Sequence, residues 1–406
     1  MRELLRLTVV SCAAFAALGM LNERTARADD PVPPTCASLP NPIYVAGSSA
    51  IRPLLQTVGA QLAAAATSPS TIVYVAAAGS CDGVNTIITD LKVTSGAKYV
   101  LATSGTLADC TLPASPGQAI DVGMSDVFPT SCPDVTADLL TGVGDFVGPV
   151  QSMNFVVPIA STHTTISAEA AYLTFGFGAA GETDWDNPDL YAIRNFQSGT
   201  ETMLAGAIKV PTNKWKGVDK GGSGGVITAI STATSPDKTI GVLASTDADV
   251  AANRLTIKRL AFQPYGETCA LYPDSSYASH DKFNVRNGLY QVWGPVHMLA
   301  KVNGSVPTNP NAKLLLDILL GNTSVAGIDP VQAEIDNNTV PQCAMNVQRT
   351  SELGTPKAYS PTGACGCYFE SKTGGASDAC KARMCTTNDD CSSGTPKCNR
   401  GYCEVK

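Results

Sequence analysis

The chain has 406 residues, 44% hydrophobic and 16% charged, with a formal net charge of -7. That length accommodates two α/β lobes or two to three domains. The acidic balance excludes a broad nucleic-acid surface, which needs a basic field, but not an anion site built from local hydrogen bonds.

Residues 1–28 read as a secretion signal. Met1 to Arg6 forms a basic start, Leu7 to Leu21 is apolar, and Ala26-Arg27-Ala28 before Asp29-Asp30 is a small-residue cleavage pattern. The apolar run is too short to span a bilayer. Val9-Val10-Ser11-Cys12 offers a second reading, a loose lipoprotein box. The expected location is the periplasm or the cell surface of a bacterium. Of the fourteen cysteines, Cys12 lies in this signal. In an exported chain the remaining ones are expected to pair as disulfides, and their odd number leaves one over.

After a Pro-rich lead-in, Ile43 to Ala46 reads as a buried strand, and Gly47-Ser48-Ser49-Ala50 turns it into a helix over Ile51 to Ala66. The same grammar repeats. Thr71 to Ala76 is a β-branched strand, Gly79 to Gly83 a turn, and Val84 to Leu91 a helix. Ser95 to Gln118 reads as an inserted loop or hairpin, for which Cys81 and Cys110 are one candidate tie, the pairing itself not being readable from sequence. Ala119 to Gly123 is a strand ending at Met124-Ser125-Asp126. A helix-like segment follows Pro133. Val147 to Val150 and Met153 to Pro158 are two apolar runs where the chain is expected to cross into a second lobe.

Ser167 to Phe177 is predicted helical. Leu190 to Ile193 reads as a buried strand leading to Arg194, and Ser198-Gly199-Thr200 opens a helix. A helix N-terminus offers unpaired N–H groups and the positive end of its dipole. Two hydroxyls, a glycine and the forked guanidinium of Arg194 suit a tetrahedral oxyanion. Gly221 to Gly225 reads as a flexible turn before a helix over Val226 to Thr232. Thr239 to Leu243 is a strand, and Leu255 to Phe262 runs back toward the first lobe. Gly288 to Val302 is apolar and strand-like at Leu289 to Val292, and Asn311 to Leu320 is an amphipathic helix.

Alternating strands and helices imply an α/β fold, whose ligand sites lie beyond the C-terminal ends of strands. The organisation read from the chain is lobe 1 over 29–150, lobe 2 over 151–260, a return to lobe 1 over 261–350, and a Cys-rich module over 363–406. The module has few large apolar residues, so disulfides are expected to staple it. Its cysteines also admit a zinc reading, although the expected site list contains no metal and no cofactor.

These motifs, in this order, resemble the periplasmic phosphate-binding proteins of ABC phosphate transporters. Gly47-Ser48-Ser49-Ala50 looks like the family's first loop. Gly79-Ser80-Cys81-Asp82-Gly83-Val84 is similar to its second. Asp121-Val122-Gly123-Met124-Ser125-Asp126 matches an Asp-hydrophobic-Gly-x-Ser-Asp element, and Arg194-x-x-x-Ser198-Gly199-Thr200 matches the most specific motif. The resemblance implies a type II-like two-lobed fold closing about a hinge. It implies a phosphate site made by Ser49, Ala50, Ser80, Asp126, Arg194, Ser198, Gly199 and Thr200. Ser49 would give its hydroxyl and amide, Ala50 its amide, Ser80 its hydroxyl, and Arg194 charge. Ser198, Gly199 and Thr200 would cap the anion from the second lobe. Where the family commonly has an Asp supporting the arginine, this chain has Phe196, so Arg194 must lean on something else. Cys81 and Asp82 replace Ser and Gly beside Ser80.

Asp126 carries the specificity argument. A carboxylate suits an anion only when the ligand brings a proton to donate. Hydrogen phosphate does so and sulfate does not, and arsenate is protonated alike. Facing buried acceptors cost roughly 1–3 kcal/mol or more. The lesser alternative for Asp126 is a helix N-cap after the strand. The reading that follows is a monomeric, non-enzymatic receptor that passes phosphate to an inner-membrane ABC permease. The alternative is a secreted or surface protein that binds phosphate for scavenging or adhesion without a permease. Gly221-Gly222-Ser223-Gly224-Gly225 also matches Gly-x-Ser-x-Gly in form, but the segment before it reads as too polar for a strand, and none of His163, His280 and His297 falls in a motif.

Overall fold

The fold is built on one long strand, Val143–Pro158, that belongs to both halves of the molecule. Its first part pairs antiparallel with Trp293–Asn303, and its second part pairs antiparallel with Ile240–Ala244 and Ile257–Arg259. This computed structural model describes residues 32–75, 79–178, 184–325 and 327–405. The signal reading and Cys12 lie outside the described residues. The compact unit runs from Pro34 to the C-terminus.

Among the described residues the main sheet has 12 strands. On one side of the long strand lie Ile240–Ala244, Tyr191–Ile193 and Val218–Asp219, in that order. On the other side come Trp293–Asn303, Val122–Ser125, Pro42–Gly47, Thr71–Val75, Ala97–Val100 and Leu107–Asp109. Pro42–Gly47 pairs in parallel with Thr71–Val75 and Val122–Ser125, and Tyr191–Ile193 pairs in parallel with Val218–Asp219 and Ile240–Ala244. Every residue of Thr71–Val75 and Ile240–Ala244 is buried, as strands covered on both faces require. The two parallel clusters thus flank a shared antiparallel centre, giving the α/β class read from the alternation.

Several boundaries differ from the sequence reading. The first helix covers Arg52–Ala63 and ends before Ala66. The second begins at Ser80, not Val84, so Ser80 to Gly83 form its first turn rather than a loop. The segment after Pro133 holds only a short turn of 3-10 helix, Ala137–Leu140, before the long strand starts. The two apolar runs after it are one strand, because its polar residues Gln151, Ser152 and Asn154 are buried and hydrogen-bonded. Leu289 to Val292 precedes the strand, which starts at Trp293.

The Cys81–Cys110 expectation is overturned. Cys36 bonds to Cys110, and Cys81 bonds to Cys132. Cys343–Cys365 joins the body to the tail, where Cys367–Cys380, Cys385–Cys398 and Cys391–Cys403 complete the set. Cys269 is free and exposed. Cys385, Cys391 and Cys403 cluster, but each is committed to a disulfide, which leaves the zinc reading without thiolates. The tail supplies little core of its own and leans on the body. Phe369 is buried under Arg286, Tyr368 donates to Gln332, and the Arg400 fork holds both Asp329 oxygens at 2.6 and 2.8 Å.

Candidate anion site

Six strand ends converge at the junction of the two halves. Pro42–Gly47 ends in Ser48-Ser49-Ala50, and Gly47 is needed there. Its φ is +122°, and a Cβ on it would stand 2.1 Å from the Met124 carbonyl oxygen. Thr71–Val75 precedes the Ser80–Ile88 helix, and Val122–Ser125 ends at Asp126. In the other half, Tyr191–Ile193 ends at Arg194, Val218–Asp219 precedes the Ser223–Ser231 helix, and Ile240–Ala244 runs into the Ser245–Ala248 turn of helix. All six lie where open α/β sheets hold their ligands.

Asp126 is 2% exposed. Ser48 Oγ reaches both its oxygens at 2.6 Å, Ser80 Oγ reaches Oδ2 at 3.1 Å, and Gln151 Nε2 donates to Oδ1. The Asp126 amide in turn donates to Ser80 Oγ at 3.1 Å. Burial pushes the carboxyl up, and the Ser48, Ser80 and Gln151 donors and the Arg194 charge pull it back. Asp126 is therefore held by side-chain donors, not spent on a helix cap. Ser80 uses its hydroxyl on this carboxylate, which differs from the free donor expected of it. Ala50 donates its amide to Ser48 Oγ at 3.1 Å.

Arg194 is 3% exposed and fully forked. Its Nε donates to the Gly221 carbonyl at 2.9 Å, Nη1 to Ser223 Oγ at 3.2 Å and Nη2 to Ser49 Oγ at 3.1 Å. Ser49 and Ser223 hydroxyls lie 3.3 Å apart, so Arg194 and Ser223 from one half meet Ser49 from the other. The sequence reading of Gly221 to Gly225 as a flexible turn is corrected here. Ser223 opens a helix and is buried on the guanidinium, and Gly221 supplies its carbonyl. The Val218–Asp219 strand before it is only two residues long.

Burial lowers the Arg194 pKa, opposed by the nearby carboxylates of Asp247, Asp126 and Glu201. These take up the support that Phe196, 52% exposed, does not give. Glu201 accepts from the Arg194 amide at 2.9 Å, and burial pushes its carboxyl up to about 8. Asp247, reached by the Ser223 hydroxyl, is pushed by burial up to about 6.

Ser198 caps the Gly199–Ile208 helix, accepting from the Glu201 amide at 3.4 Å. Gly199 and Thr200 form its buried first turn, and Thr200 Oγ1 has no hydrogen-bond partner among the described residues. A Cβ on Gly199 would stand 2.4 Å from Ser80 Oγ and 2.9 Å from the Asp126 Cβ. The helix end thus faces the Ser80–Asp126 pair directly. The structure brings Arg194 onto Ser49, and Gly199 against Ser80 and Asp126, with Ala50, Ser198 and Thr200 next to them in the chain.

Sequence reasoning missed Ser48, Gln151, Glu201, Ser223 and Asp247. Gln151 had a signal, a polar side chain inside an apolar run. Ser223 had one too, a serine among glycines at a helix start. A cavity of about 1040 Å³ opens elsewhere, between the body and the tail. The converging donors around Arg194, not cavity size, mark the candidate site.

No protein-family model and no curated protein matches the chain. Solved structures do. One from Clostridium perfringens, described as a phosphate ABC transporter substrate-binding protein with bound phosphate, is 12% identical. It covers 74% of this chain and 99% of its own, with a TM-score of 0.51. An ABC-type phosphate transport receptor from Vibrio cholerae is 13% identical, covering 74% of this chain and 100% of its own, with a TM-score of 0.45. At such identities the likeness concerns the backbone. The chain folds as the substrate-binding protein of a phosphate ABC transporter does, with a disulfide-stapled tail added.

Proposed function

We propose that this chain is an exported phosphate receptor that holds hydrogen phosphate between its two halves and serves ABC-type uptake. The carrying observation is that a buried Arg194 of one half is held on Ser49 of the other, the half that buries Asp126. A guanidinium alone would favour any oxyanion. A buried carboxylate beside it repels every oxyanion that brings no proton. The Gly199–Ile208 helix supplies N–H groups and its positive dipole end from one half, and the Ser49–Ala50 segment supplies amide and hydroxyl from the other. Ser49, Ala50, Ser80, Asp126, Arg194, Ser198, Gly199 and Thr200 are the residues assigned to the ligand. Binding, with no covalent step, is all that these groups need to perform, and closure of the halves retains the ligand.

Calorimetric titration of the secreted chain with phosphate and then sulfate tests this, beside Asp126→Asn. Phosphate should bind and sulfate should fail, a discrimination of roughly 10⁴–10⁵ for sites of this logic. The variant should admit sulfate. If neither anion binds, the reading is wrong. Uptake is tested separately by phosphate-limited growth of the source cells lacking this chain.

A further inference from the structure

The carboxylates around Arg194 are not equivalent. A carboxylate offers about four acceptor positions. Those of Asp126 are largely taken by Ser48, Ser80 and Gln151. Glu201 is engaged by the Arg194 amide. Asp247 differs: it is 8% exposed, yet its Oδ2 has no hydrogen-bond partner among the described residues. Thr200 Oγ1 and Gln151 Oε1, beside the same cluster, are also buried without a partner. A buried acceptor with open lone pairs costs roughly 1–3 kcal/mol unless something donates to it.

Asp247 is fixed where it can meet the ligand. Ser223 reaches its carboxylate and accepts from Arg194. Asn253 Nδ2 donates to its backbone carbonyl at 2.7 Å. The charged groups that it feels are Arg194, Arg52 and Asp126. Neighbouring charges are otherwise committed. Arg259, on the strand packed against this turn, pairs with Asp249 and Asp274. Lys258 donates to the Ser161 carbonyl, and Arg254 lies on His280. Through Ser223 the side chain of Asp247 is joined to the Arg194 cluster, with Oδ2 left open.

We propose that Asp247 is a second proton-accepting wall of the site, so that the oxyanion is bound with one proton more than hydrogen phosphate carries. The species held is dihydrogen phosphate or its arsenate equivalent, one O–H donated to Asp126 and the other to Asp247 Oδ2. Two guanidiniums, Arg194 and Arg52, stand among three carboxylates, Asp126, Asp247 and Glu201, which leaves no surplus positive charge for a dianion. This rests on the phosphate reading above and adds to it a proton balance. Above the second ionisation of phosphate, complex formation consumes one hydrogen phosphate and one proton. The extra proton sits between Asp247 and the bound oxyanion, and no bond to phosphorus changes. A site using Asp126 alone takes hydrogen phosphate with no proton uptake.

The test is phosphate titration of the full secreted chain from about pH 5 to pH 9, in buffers of different ionisation heat. Affinity should fall about tenfold per pH unit above neutrality, with one proton taken up per phosphate at about pH 8. Asp247→Asn, which can donate to the oxyanion, should abolish that uptake and bind at least about tenfold more tightly than the native chain at about pH 8.5. Asp247→Ser should abolish the uptake as well. Phosphate binding by the native chain with flat affinity and no proton uptake overturns the inference, whatever the variants do. So does an unchanged proton count in a variant that binds. Failure of the native chain to bind phosphate at any pH instead overturns the phosphate reading, and this inference falls with it.

Discussion

Gly199 lies against Ser80, so closely that a methyl group on the glycine would stand 2.4 Å from the serine hydroxyl. The first turn of a helix in one half thereby defines its distance from the Ser80–Asp126 pair of the other. The closeness of the two walls of the candidate site is set by the smallest side chain available.

Gly199→Ala tests that contact. The helix tolerates alanine, so any effect comes from the clash. Overpacking of this kind costs about 1–3 kcal/mol, and the halves can escape it by parting. Phosphate affinity should fall about tenfold or more, while thermal stability changes little. Calorimetry and a melting curve on the same sample separate the two.

Arg194→Lys keeps the charge and removes the fork. Lysine cannot reach Gly221, Ser223 and Ser49 together, as the guanidinium does. Each charge-assisted bond lost is worth about 1.5–3 kcal/mol. Phosphate affinity should drop about ten- to hundredfold or beyond, read by titration at fixed salt.

The Cys81–Cys132 disulfide anchors the helix turn that carries Ser80, across a separation of 51 residues. Replacing both cysteines with serine should cost about 2–4 kcal/mol in denaturant unfolding. Affinity should weaken too, because Ser80 is held between that turn and Asp126. The Cys385–Cys398 pair, replaced likewise, should leave affinity unchanged.

Glu334 provides a pH handle away from the anion site. It is 4% exposed, and burial pushes its carboxyl from 4.5 up to about 8. Between those values the folded chain binds more protons here than the unfolded chain. The Glu334 contribution to stability is therefore most favourable below 4.5 and declines as pH rises toward about 8. Glu334→Gln should remove that component, worth on the order of a few kcal/mol. Urea unfolding at about pH 5 and about pH 8 checks it, and phosphate affinity should stay native.

Much of the site was legible because its residues sit at recurring local transitions. Arg194, Ser198 and Asp126 each follow a short buried strand, and hydroxyl or acidic residues there have few structural roles. What was not legible depends on register across the sheet. Gln151 reaches Asp126, and Ser152 meets Ser245, only because the long strand aligns them between the two halves. No local pattern encodes that alignment. The Ser80 helix start was misjudged because Gly83, which weakens a helix on propensity, is retained where it packs tightly against Gly47. The disulfide partners of Cys81 and Cys110 were likewise set by tertiary proximity.

The long strand Val143–Pro158 has a mechanical consequence. Its two parts are hydrogen-bonded to different halves, and Gln151, near the changeover, touches the buried carboxylate itself. If the halves part as the proposed function requires, separating Arg194 from Ser49 bends this strand, a leaf spring with Gln151 and the Asp126 carboxylate at its midpoint. In the receptor proposed here, loading and release would be felt directly at the point of flexure, and a stiffer or softer residue there would retune how fast the halves swing.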